Sequence, residues 1–343
     1  MRSATFEPGP DKRGVHFLRE VNLRTVLAAI AKSPGATAAE VSRATALSAS
    51  SVLRIVENLL EKDLIHEGEL VRGRRGQPGQ TLFMNPDGSF SIGCHFEKDR
   101  CRFLLRSLGG RVLAEHALPT SGARSSAVIG LAANAIRDLL ASHPTTVSQR
   151  LAGVGAAVSS ELEYGLEPGW DGLSLQAELE RQTGLPVLAY SAGSAGAWAE
   201  LAAIPPPRPA DFLYLFFDGD LQSGFVLNGR LWTGPDGRSG SISRAMSSSS
   251  AADMNETDWS DGLSLGTLCR AVCLLCGSLG LPVVVVDGDV PPAALGLLTE
   301  AFTTAAWPGK APSVRNGLAG KMAPVKGAAL RPLYVSLFEK DLA

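Results

Sequence analysis

TAAEVSRATALSASSVLRIVENLL, residues 37–60, holds two helix starts with one tight turn between them. Thr37 followed three residues later by Glu40 is a capping box, in which the hydroxyl accepts from a first-turn amide while the carboxylate reaches back. A helix of about two turns follows it. Ser48 is the second cap, Leu47 and Val52 form a hydrophobic staple around it, and Val52, Ile55, Val56, Leu59 and Leu60 recur at the spacing of one buried face. By subtraction Ala49, Ser50, Ser51, Arg54 and Asn58 face outward. Upstream, Leu23, Val26, Leu27 and Ile30 fall at i, i+3, i+4 and i+7 and predict a first helix over residues 22–33, ended by Pro34 and Gly35. Two short helices joined by a tight turn, the second small and polar on its exposed N-terminal half, make a helix-turn-helix that can lie in a major groove. Its serine hydroxyls and helix N-terminus suit phosphate oxygens, and Arg54 can reach a phosphate or a base edge.

Beyond the third helix, DLIHEGEL and TLFMN read as two strands flanking VRGRRGQPGQ, residues 71–80. Three arginines, three glycines and a proline in ten residues cannot form core. The stretch reads as the tip of a β-hairpin wing, with Arg72, Arg74 and Arg75 placed to follow a backbone or enter a narrow minor groove, and the glycines permitting close approach. Helices, turn and arginine hairpin arriving in this order point to double-stranded DNA, against the plainer reading of an exposed basic loop beside a helical packing module.

Bulk properties fit that picture. The 343 residues are 45% hydrophobic and 19% charged, enough for a sizeable core and two or three domains. The net charge of -2 hides an asymmetry, since residues 1–80 hold 12 Lys+Arg against 9 Asp+Glu and the remainder carries about -5. The start, MRSATFEPGPDKRG, has no apolar signal region, and no apolar run approaches the roughly 18 residues of a membrane span, so the expected location is the cytoplasm and no membrane partner is expected. Five cysteines form an odd set without a disulfide framework, which fits a reducing compartment.

From about residue 85 the pattern changes to α/β. SFSIGCHF, RCRFLLRSL and RVLAEHALP predict three strands, with turns at Glu97-Lys98-Asp99 and Gly109-Gly110. A helix at SAVIGLAANAIRDLLASH, the strand LAGVGAAV, a helix near LSLQAELERQT and the strand PVLAY follow. FLYLFF, GFVLNG and RLWTG then repeat the three-strand opening, with helices and the strand VVVVDG beyond. Two β-β-β-α-β-α passes imply two lobes with a cleft between them. The expected division is 15–85 for the DNA-binding domain, 86–190 for a first lobe completed by the C-terminal segment, and 191–343 for a second lobe and the C-terminal helix.

These residues resemble the ROK family, the bacterial repressors, uncharacterised frames and sugar kinases that share an actin-like, ribonuclease-H-like ATPase fold. The resemblance runs from about Asn22 to the end and rests on GRRGQP followed by LFMNP, GLPV before a strand, AWAEL, GFVLNGRLWTG, VVVVDG and the closing GAALRPLY. It implies an N-terminal winged helix-turn-helix, all-α with a β-wing, ahead of a two-lobed ATPase-type body. One departure is Ala46, where the family turn usually has Gly, at a small expected cost in stability.

The kinase parts of the pattern are missing. Where family kinases carry Gly-x-Asp-x-Gly-Gly-Thr to handle ATP phosphates and metal, this chain reads GCHFEKDR, so His95 replaces the Asp and Glu97, Lys98 and Asp99 replace the small residues. The second phosphate turn has become Asp218-Gly219-Asp220-Leu221-Gln222, and two carboxylates there repel a polyphosphate. Taken by themselves, Asp218 and Asp220 read as solvated turn acids rather than a cation site. The family's sugar-binding Asn-Asp pair aligns with Ser191 and Ala192, and a methyl group takes no proton. Ser241 and Arg244 stand for the sugar-contacting Glu and the zinc-binding His. The zinc loop that follows is SSSSAADMNETDWSDG, without cysteine, and all five histidines precede residue 144. Cys269, Cys273 and Cys276 share a helical face among Leu, Val and Ala, as buried small hydrophobes do. Trp170 and Trp198 fit either a ligand pocket or core packing.

The expectation is a DNA-binding transcription regulator, a repressor by family habit, with no cofactor, no metal, no enzyme activity and no catalytic residue. It is expected to act as a homodimer or larger homo-oligomer on a pseudo-palindromic site, with a sugar-like effector in a cleft marked by Ser191, Ala192, Ser241 and Arg244. The alternatives are a sugar kinase with Glu200 or Asp218 as relocated base, and an effector-independent DNA-binding or scaffold protein.

Overall fold

The computed structural model describes residues 12–71, 79–159, 162, 175–205, 209, 211–218, 220–233, 242, 262–291, 293–304, 307 and 310–339. The chain divides into two compact units, one formed by Met1–Phe90, Ser107–Arg111 and Leu333–Ala343, the other by Ser91–Arg106 and Val112–Pro332.

The first unit holds α1 (Lys12–Lys32), β1 (Ala36–Thr37), α2 (Ala38–Thr45), α3 (Ala49–Glu61), β2 (Ile65–Val71) and β3 (Gly79–Met84). Its sheet has the order β1-β3-β2, and both pairings are antiparallel. The core joins Val26, Leu27 and Ile30 of α1, Val41 of α2, Val52, Val56 and Leu59 of α3, Ile65 and Leu82 of the hairpin, and Leu337 near the C-terminus. Each such side chain contributes roughly 1.5–3 kcal/mol by leaving water. The capping box is formed: the Thr37 amide donates to Glu40 Oε2 at 2.8 Å, and the Glu40 amide donates to Thr37 Oγ1 at 3.4 Å. Ser48 caps α3 by accepting from the Ser51 amide at 3.2 Å. Ala46 ends α2 with φ 57, a left-handed conformation in which an alanine Cβ is strained. α1 starts ten residues before the predicted helix. β1 gave no sequence signal because two residues carry no period. The hairpin pairing ends at Val71↔Gly79, so Arg72, Arg74 and Arg75 lie outside the described residues.

The second unit contains two sheets with one plan. The first is built from β4 (Phe90–Phe96), β5 (Arg100–Ser107), β6 (Val112–Pro119), β7 (Leu151–Val158) and β8 (Val187–Ser191), in the order β6-β5-β4-β7-β8. The second uses β9 (Phe212–Asp218), β10 (Asp220–Leu227), β11 (Arg230–Trp232), β12 (Val283–Gly288) and β13 (Ser313–Asn316), in the order β11-β10-β9-β12-β13. In both, the third, second and first strands of the pass sit side by side and the fourth and fifth extend the other edge. Antiparallel pairing joins β5 to β6 and β9 to β10 to β11, while β7 with β8 and β9 with β12 and β13 are parallel. The run 283–286 is continuously apolar because β12 is paired on both sides and covered on both faces. The short, partly exposed SVRN of β13 offered no such pattern.

Helices α4 (Ser125–Ala141), α5 (Thr145–Gln149), α6 (Leu175–Thr183), α7 (Ala192–Ala203), α8 (Gly262–Leu279), α9 (Ala294–Thr304) and α10 (Ala323–Leu337) complete the described chain. α10 crosses the first sheet so closely that a Cβ at Gly93 would lie 2.2 Å from the Val325 carbonyl oxygen, and one at Gly155 1.9 Å from that of Ala328. No helix among the described residues is long and apolar enough to cross a membrane.

Candidate nucleic-acid interface and an ion-pair cluster

The outer face of α3 is assembled by the same rules that bury its inner one. Ala49, Ser50 and Arg54 are exposed, whereas Ser51 and Asn58 are half-buried. Ser48 is exposed too, with its hydroxyl engaged in the cap and donating to Ser51 Oγ at 2.8 Å. Between α1 and α3 runs an open groove of about 390 Å³ whose lining includes Arg19, Asn22, Ser51, Arg54, Asn58 and Lys62. Glu20, also on its wall, lies 4.0 Å from Arg24. The groove is therefore cationic, and its side chains are of the donor type that phosphate oxygens accept from. Sequence reasoning named Arg54, Ser51 and Asn58; Arg19 was missed because it lies on α1 and joins them only in space, and Lys62 because it caps the far end of α3, outside the outward N-terminal half. Leu53, also missed, is 53% exposed although apolar.

The two segments that the resemblance aligns with phosphate turns meet within the second unit. His95 and Glu97, at the end of β4, and Asp218, at the end of β9, bring ligand-type atoms within 4.8 Å of one another. Glu97 is the hub. Its Oε2 lies 2.6 Å from Arg100 Nε, and its Oε1 lies 2.7 Å from Arg102 Nε and 3.2 Å from His95 Nδ1. Arg100 Nη2 reaches Asp218 Oδ1 at 3.8 Å, and the His95 ring stands edge-on to Phe216, 6.3 Å between centroids. The guanidinium groups already balance the carboxylates, so the arrangement is an ion-pair cluster. Asp218 is not the solvated turn acid expected from sequence, since its side chain is only 16% exposed.

The cluster's two acids titrate apart. Burial raises the Asp218 carboxyl, the nearby Glu97 charge raises it further, and His95 and Arg100 offset only part of this, leaving it at about 6. For Glu97 burial also acts upward, but hydrogen bonds from His95 and Arg100 and the charges of His95 and Arg102 outweigh it and pull the group to about 2.

Other sequence-predicted positions are also occupied internally. Ser191 caps α7, accepting from the Ser194 amide at 3.2 Å and donating to Ser194 Oγ at 2.9 Å. Ala192 is fully buried against Ala157, Ala195 and Ala328. Ser241 and Arg244 lie outside the described residues, as do Trp170 and the segment 243–261. Trp198 packs on the α7 side of the second sheet, with the Arg331 guanidinium 5.0 Å from its ring. Glu200 is fully buried and accepts from Arg315 Nη1 at 2.6 Å, the Leu318 amide at 2.7 Å and the Ala319 amide at 3.2 Å. Cys269 and Cys276 are core residues and Cys273 packs beside them; burial pushes the Cys276 thiol up to about 12. They are inert small hydrophobes in this setting.

Comparison with known proteins agrees with this division. The model of the MarR family matches residues 24–76, from within α1 to just past β2. A ROK family transcriptional regulator of solved structure, described as a homologue of the E. coli MLC protein, superimposes with a TM-score of 0.68 at 17% identity, over 94% of this chain and 98% of that one. The chain shares the fold of that ROK regulator, with a winged-helix-like first unit matched by the MarR model. A ROK hexokinase from Thermus thermophilus matches at a TM-score of 0.53 and 19% identity, covering 70% of this chain and 97% of that one. Among curated sequences, the xylose repressor of Caldicellulosiruptor bescii is 23% identical over 233 residues, 66% of this chain and 58% of that protein. The chain spans about 35–58% of the length of the curated relatives it matches.

Proposed function

We propose that the protein is a DNA-binding transcription regulator, a repressor, in which the ROK body no longer transfers phosphate. The observation that carries the reading is the outward N-terminal half of α3, which holds Ser50 and Arg54 in solvent beside a groove lined by Arg19, Arg54 and Lys62. Ser48, Ala49, Ser50, Ser51, Arg54 and Asn58 provide the major-groove and phosphate contacts, and Arg72, Arg74 and Arg75 those of the wing. The resemblance to repressors, by fold and by the curated match, supports the sign of regulation.

The commitments of the cleft acids support the loss of catalysis. Glu200 spends both oxygens on Arg315 and two amides, and Asp218 sits in the ion-pair cluster, so neither is available as a general base. In this reading the body dimerises, spaces two winged helices on a pseudo-palindrome, and takes a sugar-like effector near Ser191, Ala192, Ser241 and Arg244. Purified protein incubated with fragmented genomic DNA should recover a recurring pseudo-palindrome whose affinity falls steeply with salt. Recovery without a preferred sequence, or sugar-dependent ADP release, would overturn the assignment.

A further inference from the structure

α3 carries one large apolar side chain that the fold does not use. Leu53 is 53% exposed, while its neighbours Val52, Val56 and Leu59 are in the core. On the outward surface the first two turns of α3 present Ala49, Ser50, Leu53 and Arg54, and the next turns present the exposed carboxylates Glu57 and Glu61. Those acids repel a polyanion, so DNA can approach α3 closely only at its N-terminal end. Arg54, next to Leu53 at that end, opens onto the cationic groove that also holds Arg19 and, at the far end of α3, Lys62, while Leu53 and Ala49 stand outside its lining. Charge therefore selects the occupant as nucleic acid, and the question narrows to what an aliphatic side chain can read there. In the major groove, the apolar group exposed on a base edge is the thymine 5-methyl.

We propose that Leu53, with Ala49 one turn before it, reads a thymine methyl in each half-site, making it a specificity-determining residue beside Arg54. The inference rests on the DNA-binding reading above and sharpens it from a contact surface to one base. An aliphatic side chain at this position gives hydrophobic discrimination that is insensitive to salt, unlike the phosphate contacts around it.

The test uses the full-length protein. Duplexes selected from a random pool define the preferred site, and each thymine is then replaced singly by deoxyuridine, which keeps every hydrogen bond and removes only the methyl. At one thymine per half-site the wild type should lose about four-fold in affinity, the worth of one buried methyl. Leu53→Ala should bind thymine and uracil forms of that site equally, and Leu53→Met should retain the preference. A selected site with no uracil-sensitive thymine, or sensitivity unchanged in Leu53→Ala, would overturn the role of Leu53 and leave DNA recognition standing. Failure to select any site would overturn the DNA-binding reading and this inference with it. Because Leu53 is exposed, the thermal midpoint of both variants should match the wild type, which separates lost reading from lost fold.

Discussion

At the start of α3, Arg54 and Leu53 stand in solvent with their groups uncommitted to the core, whereas at the ends of β4 and β9 the side chains of His95, Glu97, Arg100, Arg102 and Asp218 are bound to one another. Both places are rich in charge, and charge alone does not tell them apart. What separates them is where the hydrogen-bonding and ionic capacity goes. A polyphosphate entering beside Glu97 must break two guanidinium contacts and face two carboxylates, while a phosphate approaching α3 finds donors ready and loses only water. One surface is open to a partner; the other has become its own partner.

The largest effect expected from this contrast is on the wing. Changing Arg74 and Arg75 to Ala should weaken DNA binding by roughly ten- to hundred-fold at low salt and flatten the slope of log affinity against log salt by about one to two units. A fluorescence-anisotropy titration at several salt concentrations reads both numbers. An unchanged slope would remove the wing from the contact surface and leave α3 to carry binding alone.

Much of the open surface could be read directly from the sequence, because its signals are local. The Thr37–Glu40 box, the Ser48 cap and the buried stripe of α3 depend on residues within a few positions of one another, and so does the shared face of Cys269, Cys273 and Cys276. The cluster was not legible, since Glu97 and Asp218 are 121 positions apart and meet only because two copies of one strand order face their first hairpins together. Buried ion pairs such as Glu200–Arg315 escape for the same reason. Leu53 was missed for a different one. It fell neither in the buried stripe of α3 nor among the polar residues counted as outward, and its 53% exposure puts it on that outward surface.

A second prediction concerns the cluster and pH. Asp218 has its folded value raised to about 6 from 3.8, so its stabilising contribution is full below about pH 3.8 and is lost as pH rises through 6. Glu97 is lowered from 4.5 to about 2, so its contribution is present above pH 4.5 and lost as pH falls toward 2. The cluster is therefore most stabilising near pH 4–5. Unfolding free energy should fall by on the order of 1 kcal/mol between pH 5 and pH 7, and Asp218→Asn should remove most of that slope. Chemical denaturation across this range decides it. A slope unaltered in Asp218→Asn would mean the carboxyl is better solvated than its burial indicates, and the contrast with α3 would weaken.

The smallest expected effect separates the scaffold of α3 from its contacts. Ala46 holds φ 57 at the end of α2, a conformation that costs an L-residue about 1–2 kcal/mol and glycine almost nothing. Ala46→Gly releases that strain but returns part of the gain, because a glycine makes the unfolded chain more flexible. The net should be a stabilisation of about 0.5–1 kcal/mol, visible as a higher urea midpoint with an unchanged m-value. DNA affinity should stay within about two-fold, since Ala46 is not among the outward residues of α3 and glycine keeps the same turn. A large loss of affinity would show that the rigidity of this turn, not only the side chains beyond it, sets how α3 meets its partner. In that case the uncommitted surface would owe its specificity to backbone strain as well as to exposed chemistry.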